Sequence, residues 1–221
     1  MLPAARRDLA RRWARLMVGC TLLGLGSALM VASHLGLAPW DVLHQGIARH
    51  TGLAIGTVGI GVGAAVLMAW VPVRQRLGVG TAANVLIVGL SVNAGLAALP
   101  TPSPSAVVAR WAYLLSGIAV IGFGTSLYIS AHLGPGPRDG VMTGLSRRTG
   151  RSMGAVRCLM EVTVLVAGIA LGGTAGVGTV LFALAVGPII QVSLGLLTRP
   201  LLLPPVPPVP PGMAVAPPPG P

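Results

Sequence analysis

Residues 34–52, HLGLAPWDVLHQGIARHTG, return ninety-eight residues later as residues 132–150, HLGPGPRDGVMTGLSRRTG. Carried without a gap from residues 12–93 onto 110–191, the same offset keeps about 29 of 82 positions identical, the mark of an internal repeat. A chain that repeats itself must fold twice in nearly the same way, so any architecture has to come in two like halves. The repeat also decides what the N-terminus is. Residues 1–15 are arginine-rich and an apolar run follows, as in a secretory leader, but RWARLMVGCTLLGLGSALMVASHLG is reused as RWAYLLSGIAVIGFGTSLYISAHLG. A segment used twice is structure, not an address.

Each half contains three apolar stretches near the roughly 20 residues that span about 30 Å of hydrocarbon. They are residues 13–33, 55–72 and 80–99 in the first half and 111–131, 155–172 and 177–197 in the second. With 53% hydrophobic and only 9% charged residues, the chain is far from the roughly 25% charged of soluble domains and belongs in a lipid bilayer. The +11 net charge does not make a nucleic-acid surface, because the arginines sit at the ends of apolar stretches. Fifteen arginines without one lysine fit a GC-rich bacterial genome.

Three spans per half is an odd number, which turns the second half over relative to the first. The positive-inside tendency tests this. With the N- and C-termini cytoplasmic, Arg6, Arg7, Arg11, Arg12, Arg15, Arg74, Arg76, Arg138, Arg147, Arg148, Arg151, Arg157 and Arg199 lie inside, and Arg49 and Arg110 outside. Aligned differences agree: Trp40, His50, Leu53 and Gly59 become Arg138, Arg148, Arg151 and Arg157, while Arg74 and Arg76 become Gly172 and Thr174. The expected fold is an all-α polytopic membrane protein with six transmembrane helices in two inverted three-helix repeats. Residues 1–11 form a basic N-terminus, 12–99 and 110–197 the two units, 100–109 an outer linker, and 198–221 a proline-rich disordered tail.

The repeated motif predicts a short helix in each unit. Pro39 and Pro137 suit the first helical position, and Gly52 and Gly150 the residue after the last turn. About twelve residues cannot span. Trp40, Leu43 and Ile47 share one face and Asp41, His44, Gln45, Ala48 and Arg49 the other, so the helix is expected to lie at the interface or re-enter between spans.

Two readings of its polar residues stand side by side. In the first, Asp41 and Asp139, with His34 and His132 upstream, bind ions or relay protons at the repeat interface, as ionisable groups at membrane depth and broken helices commonly do. In the second, the aspartates cap the positive helix ends, Arg49 and Arg147 complement the negative ends, and the histidines finish spanning helices. Glu161 is the one carboxylate expected inside a span, with Gly63 as its repeat partner; Arg157, four residues earlier, pairs with it or leaves it to couple ions. Candidate coupling residues are therefore Asp41, Asp139, Glu161, His34, His132 and Arg147. Gly36, Gly134, Gly178 and Thr179 are read as structural, the last two through GVGT, a tight loop with close helix contact rather than a phosphate loop. Asn84, Asn93 and Gln191 hold helices together or line a path.

No metal-ligand spacing joins His34, Asp41, His44 and His50, and Cys20 and Cys158 form no CxxC, so neither metal nor cofactor is expected. No nucleophile and base, nor a nucleotide loop, points to an enzyme. LGLAPWDVLHQG, LGPGPRDGVMTGLSRRTG, VRCLMEVTVLVAG and GGTAGVGTVLFALAVGP together resemble the YczE/YyaS/YitT-type bacterial integral membrane proteins over residues 12 to about 197. The resemblance implies a polytopic plasma-membrane protein and supplies no reaction. By analogy the expected function is a permease for a small solute or ion; the alternative is a non-transporting accessory or regulatory protein that assists another complex. The expected partners are the lipid bilayer, a small solute or ion, and a membrane protein or further copies of the chain.

Overall fold

The computed structural model of the chain describes residues 2–70 and 78–198, without the side chains of residues 2–5. Arg74, Arg76, Arg199 and the proline-rich tail lie outside the described residues. Among those described there are eight α-helices: α1 (Leu2–Ser33), α2 (Pro39–Thr51), α3 (Ile55–Met68), α4 (Val79–Ala98), α5 (Val107–Ser130), α6 (Pro137–Thr149), α7 (Met153–Ala170) and α8 (Val177–Thr198).

Five of them, α1, α4, α5, α7 and α8, are long and apolar enough to cross a membrane. The stretch expected to span at residues 55–72 is different. Its described helix, α3, has 14 residues, about 21 Å at 1.5 Å per residue, and falls short of the bilayer. Residues 71 and 72 of that stretch lie outside the described residues; among the described ones the required length is reached together with α2, to which α3 is joined at a bend of 111°, and counted as one broken span the pair makes six. Large apolar side chains on α4, α7 and α8, among them Leu90, Leu159, Val166, Leu184 and Leu196, are exposed, an outer surface that only lipid or another protein would cover.

The centre is the pair α1 and α5, which run antiparallel and meet through glycines. A Cβ placed on Gly19 would lie 2.7 Å from the Gly124 carbonyl oxygen, and one on Gly26 2.9 Å from that of Gly117, so backbone rests on backbone. Gly19 and Gly117 are repeat equivalents, as are Gly26 and Gly124: each unit offers the other the same two glycines. Met30, Leu114, Ile118, Ile121 and Val186 pack beside them between α1, α5 and α8.

The ends of this pair are tied reciprocally. Arg12 Nε and Nη2 donate to the carbonyls of Ala131 (2.8 Å) and His132 (2.5 Å) at the end of α5. Arg110 Nε and Nη2 donate to those of Ser33 and His34 (both 2.9 Å) at the end of α1. Helix C-termini leave carbonyls unpaired and carry partial negative charge, which a guanidinium satisfies on both counts. This explains why Arg110 stays where the topology rule sees an exception. Arg49, the other exception, is held likewise, by the Gly172 carbonyl and by Thr174 Oγ1.

Past each arginine-bound end the chain turns through His34 (φ 54°) and His132 (φ 51°), both in the left-handed region, and then through Gly36 (φ 125°) and Gly134 (φ 136°). The GVGT segments dock here, each on the other unit. Gly178 N–H donates to the Leu35 carbonyl (2.8 Å) and Gly80 N–H to that of Leu133 (3.1 Å), while Thr81 Oγ1 donates to the Pro135 carbonyl (2.8 Å). The tight loop and close contact expected of GVGT are present, and the partner is the motif turn of the opposite unit.

Candidate functional site

Both short helices begin at proline, with extended backbone at the preceding residue, and end at a left-handed glycine, Gly52 (φ 72°) or Gly150 (φ 66°). Of the two expected placements, at the interface or between spans, the surroundings of α2 fit the second. In α2 the buried residues include Trp40, Asp41, His44 and Ala48, whereas Leu43 and Ile47 are only half-buried. The polar side has turned inward because α2 lies directly on α7: a Cβ on Gly168 would sit 2.5 Å from Leu43 N, and one on Gly46 2.9 Å from the Gly168 carbonyl oxygen. Trp70 takes the place of Gly168 in the first unit. It is buried, donates from Nε1 to the Pro137 carbonyl (2.8 Å), and spaces α6 away from α3 with its ring against Gly140.

The first turns of α2 and α6 face one cavity of about 230 Å³ to which all eight helices contribute. Asp41, Asp139 and Glu161 all line it, so three of the four carboxylates in the chain converge on one space; the fourth is Asp8. Each is held differently. Asp41 Oδ1 is 3.3 Å from His44 Nδ1, one turn later on α2, and both side chains are buried. Asp139 Oδ2 accepts from the Gly136 N–H (3.2 Å) and the Tyr128 hydroxyl (3.4 Å), the reach-back expected of a capping residue. Glu161 Oε1 is 3.8 Å from Arg157 Nε, the pair read from their spacing of four. One motif position thus serves two purposes, a cap in the second unit and an acid–imidazole pair in the first, where α2 starts at Ala38 with no side-chain cap.

The other sequence candidates lie elsewhere. His34, His132 and Arg147 are exposed and do not line the cavity. The histidines are set by backbone conformation and offer their carbonyls to Arg110 and Arg12. Asn93 holds the start of α3, accepting from Gly56 N–H (2.8 Å) and donating to Thr57 Oγ1 (3.0 Å), whereas Asn84 lines the cavity and donates to Cys20 Sγ (3.3 Å). Among the described residues no group of three His, Cys, Asp or Glu is placed to hold a metal ion.

Sequence reasoning missed Arg138. It was counted as an inner-loop arginine and, with Trp40, as a marker of opposite membrane faces. The structure instead lays its guanidinium over the Trp40 ring, 4.3 Å from the centroid, with both residues lining the cavity. Trp40 and Arg138 are repeat equivalents in contact, so Arg138 says nothing of sidedness. The available signal was an arginine in the first turn of a short helix, where the positive helix end disfavours it unless another group compensates.

One consequence is measurable without a ligand. Asp139→Ala removes the acceptor of Gly136 N–H and is expected to cost about 0.5–2 kcal/mol in thermal unfolding of the detergent-solubilised protein. Asp41→Asn keeps an acceptor beside His44 and leaves the start of α2 unchanged, so its stability should stay close to that of the parent.

Residues 10–194 match the model of a family described as a family of unknown function, DUF6198. The chain is 41% identical over 184 residues to an uncharacterized protein of Haemophilus influenzae, covering 83% of this chain and 84% of the relative. It is 34% identical over 194 residues to the uncharacterized membrane protein YczE of Bacillus subtilis (86% and 88% covered), and 25% identical over 187 residues to the uncharacterized protein YyaS of the same organism (82% and 92%). No solved structure matches the chain significantly.

Proposed function

The chain belongs to the DUF6198 family, and from that premise we propose that it is a permease for a small solute or ion, not an enzyme, built of two three-helix units of inverted topology in the bacterial inner membrane. The observation that carries this reading is the convergence of Asp41, Asp139 and Glu161 on one cavity to which every described helix contributes. Ionisable groups are costly at membrane depth and are kept there for ion or solute pathways. A chain with four carboxylates that gathers three in one space invests them in that space.

The reciprocal contacts support the inversion. Antiparallel α1 and α5 are repeat equivalents, and each unit caps the other's central helix and clasps the other's motif turn. The first turns of two broken helices at a cavity between such units are the recurring design of secondary transporters, in which one unit rocks against the other around a central site. Both termini then lie on the cytoplasmic side, the side favoured by the arginines that remain once Arg138 is set aside. The accessory-protein reading rests on the arginine loop, whose Arg147, Arg148 and Arg151 are exposed, and on the proline tail, outside the described residues; no cavity residue enters it.

Reconstituted protein is expected to give a saturable counterflow of a small solute, lowered at least about tenfold by Asp41→Asn, the scale of losing one charge-assisted contact. Flux unaltered when Asp41, Asp139 and Glu161 are all neutralised would sink the assignment. Co-purification with one defined membrane complex and no flux alone would favour the accessory role.

A further inference from the structure

Five charged side chains line the cavity, and four have their partner or their cap. Asp41 is against His44, Glu161 against Arg157, and Asp139 is satisfied by Gly136 and Tyr128. Arg138 is the exception. Exposed at the cavity, it makes neither an ion pair within 4 Å nor a hydrogen bond among the described residues; its direct contact is the face of Trp40, and the charges of Asp41, Glu161 and Asp139 act on it from farther away. Trp40 is buried and held at the first turn of α2, so the guanidinium carbon rests over a ring that its surroundings keep in place.

A guanidinium stacked flat on an indole keeps its five N–H donors at its edge. Stacking occupies the face and leaves the edge, which is the part that grips two oxygens of a planar anion in parallel. The order this imposes on a long side chain removes much of the entropic cost of binding. We propose that Arg138, laid on Trp40, is the anchor for the carboxylate of a small monocarboxylate or amino-acid-like zwitterion, on the premise that the cavity is a solute site.

Charge and size narrow the class. Three carboxylates against two guanidiniums leave the lining with one negative charge in excess when His44 is neutral. A second anionic group on the solute would face Asp41, Asp139 or Glu161, so a dicarboxylate or a phosphate dianion is disfavoured. A cavity of about 230 Å³ is also below the roughly 300 Å³ where drug-sized pockets begin. Much of the remaining wall is apolar, with Val85, Val88 and Phe182, which suits a short hydrocarbon body, and Ser27, Asn84 and Thr125 add polar groups to it.

The test uses the full chain in detergent, with thermal shift and quenching of indole fluorescence as readouts and propionate, glycine, glutarate, inorganic phosphate and methylguanidinium as probes. Propionate or glycine should bind, in preference to glutarate and phosphate. Arg138→Gln should weaken that binding on the order of 100-fold, and Arg138→Lys, which keeps the charge but loses the planar fork, about tenfold. Trp40→Phe, which keeps a ring, should lose less than Trp40→Ala. Absence of binding by either monocarboxylate, binding unchanged in Arg138→Gln, or preference for phosphate overturns the proposal. So does methylguanidinium binding that tightens in Arg138→Gln, which would make the Trp40 face a cation receptor with Arg138 as its occupant. The two readings fail separately: cation flux in vesicles without carboxylate binding removes this inference and keeps the permease, whereas Arg138-dependent carboxylate binding without flux removes the permease and keeps the ligand.

Discussion

Gly36→Ala is expected to destabilise the protein by about 2–5 kcal/mol, the sum of a left-handed backbone penalty near 1–2 and an overpacking penalty of roughly 1–3. Both components come from one place. Gly36 has φ 125°, which side-chain-bearing residues rarely adopt, and its added Cβ would lie 2.8 Å from Gly176 N and 2.9 Å from Thr179 N. Those are backbone atoms at the docked start of α8, held by the hydrogen bond from Gly178 to Leu35, and they cannot step aside as a flexible side chain does. Gly134→Ala should cost less, because its Cβ would first meet the Thr81 hydroxyl (2.8 Å), whose displacement loses one hydrogen bond to Pro135, and would come no closer than 3.2 Å to backbone, at Gly78 Cα. His34→Gly is the control. That position also has positive φ but an exposed side chain, so glycine there should leave the melting temperature unchanged or raise it. Thermal unfolding of the four proteins in one detergent checks the order; Gly36→Ala melting with the parent would show that the clasp is not as close as described.

The second large effect is expected from the two capping arginines. Each makes two charge-assisted hydrogen bonds to carbonyls at the end of the opposite unit's central helix, and losing either should cost about 1.5–3 kcal/mol. Arg12 and Arg110 act at opposite ends of the same antiparallel pair and share no partner, so the costs should add in the double variant. The informative comparison is Arg→Lys at each position. A lysine keeps the charge but not the fork that reaches two successive carbonyls, and should recover only part of the loss. Full recovery by lysine would mean that the charge alone matters and the bidentate geometry does not.

The spans, the two short helices and their proline starts and glycine ends were legible because each is written locally, in hydropathy and in caps within a few residues. The pairing of Arg157 with Glu161 was legible for the same reason. What GVGT docks on was not, since the contact joins residues about 140 positions apart in one case, Leu35 with Gly178, and about 50 in the other; spacing along the chain carries no sign of either. The break that ends α3 at Met68 was hidden because the sequence stays apolar across it through Trp70. The inward turn of the α2 polar side was hidden too. It depends on Gly168 standing where the first unit has Trp70, and a glycine on a distant helix gives no warning of what rests on it. Arg138 was misread for the strongest reason. An arginine beside an apolar segment is normally a topology marker, and only a contact with its own repeat equivalent shows otherwise.

That contact decides what a fused pair of units can do that a pair of separate copies cannot. Where two like units face each other across a two-fold axis, any residue sitting on the axis must meet its own duplicate. In an assembly of identical chains this place would hold two tryptophans or two arginines, never a cation on an aromatic ring. Positions off the axis escape the restriction: Gly19 answers Gly124 and Gly26 answers Gly117, so those four stay alike. Covalent fusion lets every pair of equivalent positions diverge, as Trp70 and Gly168 have, and where equivalents touch, the chain has placed complementary groups, Trp40 and Arg138. Two identical copies of one unit, paired in the same way, could repeat the glycine contacts but not the stacking of Arg138 on Trp40.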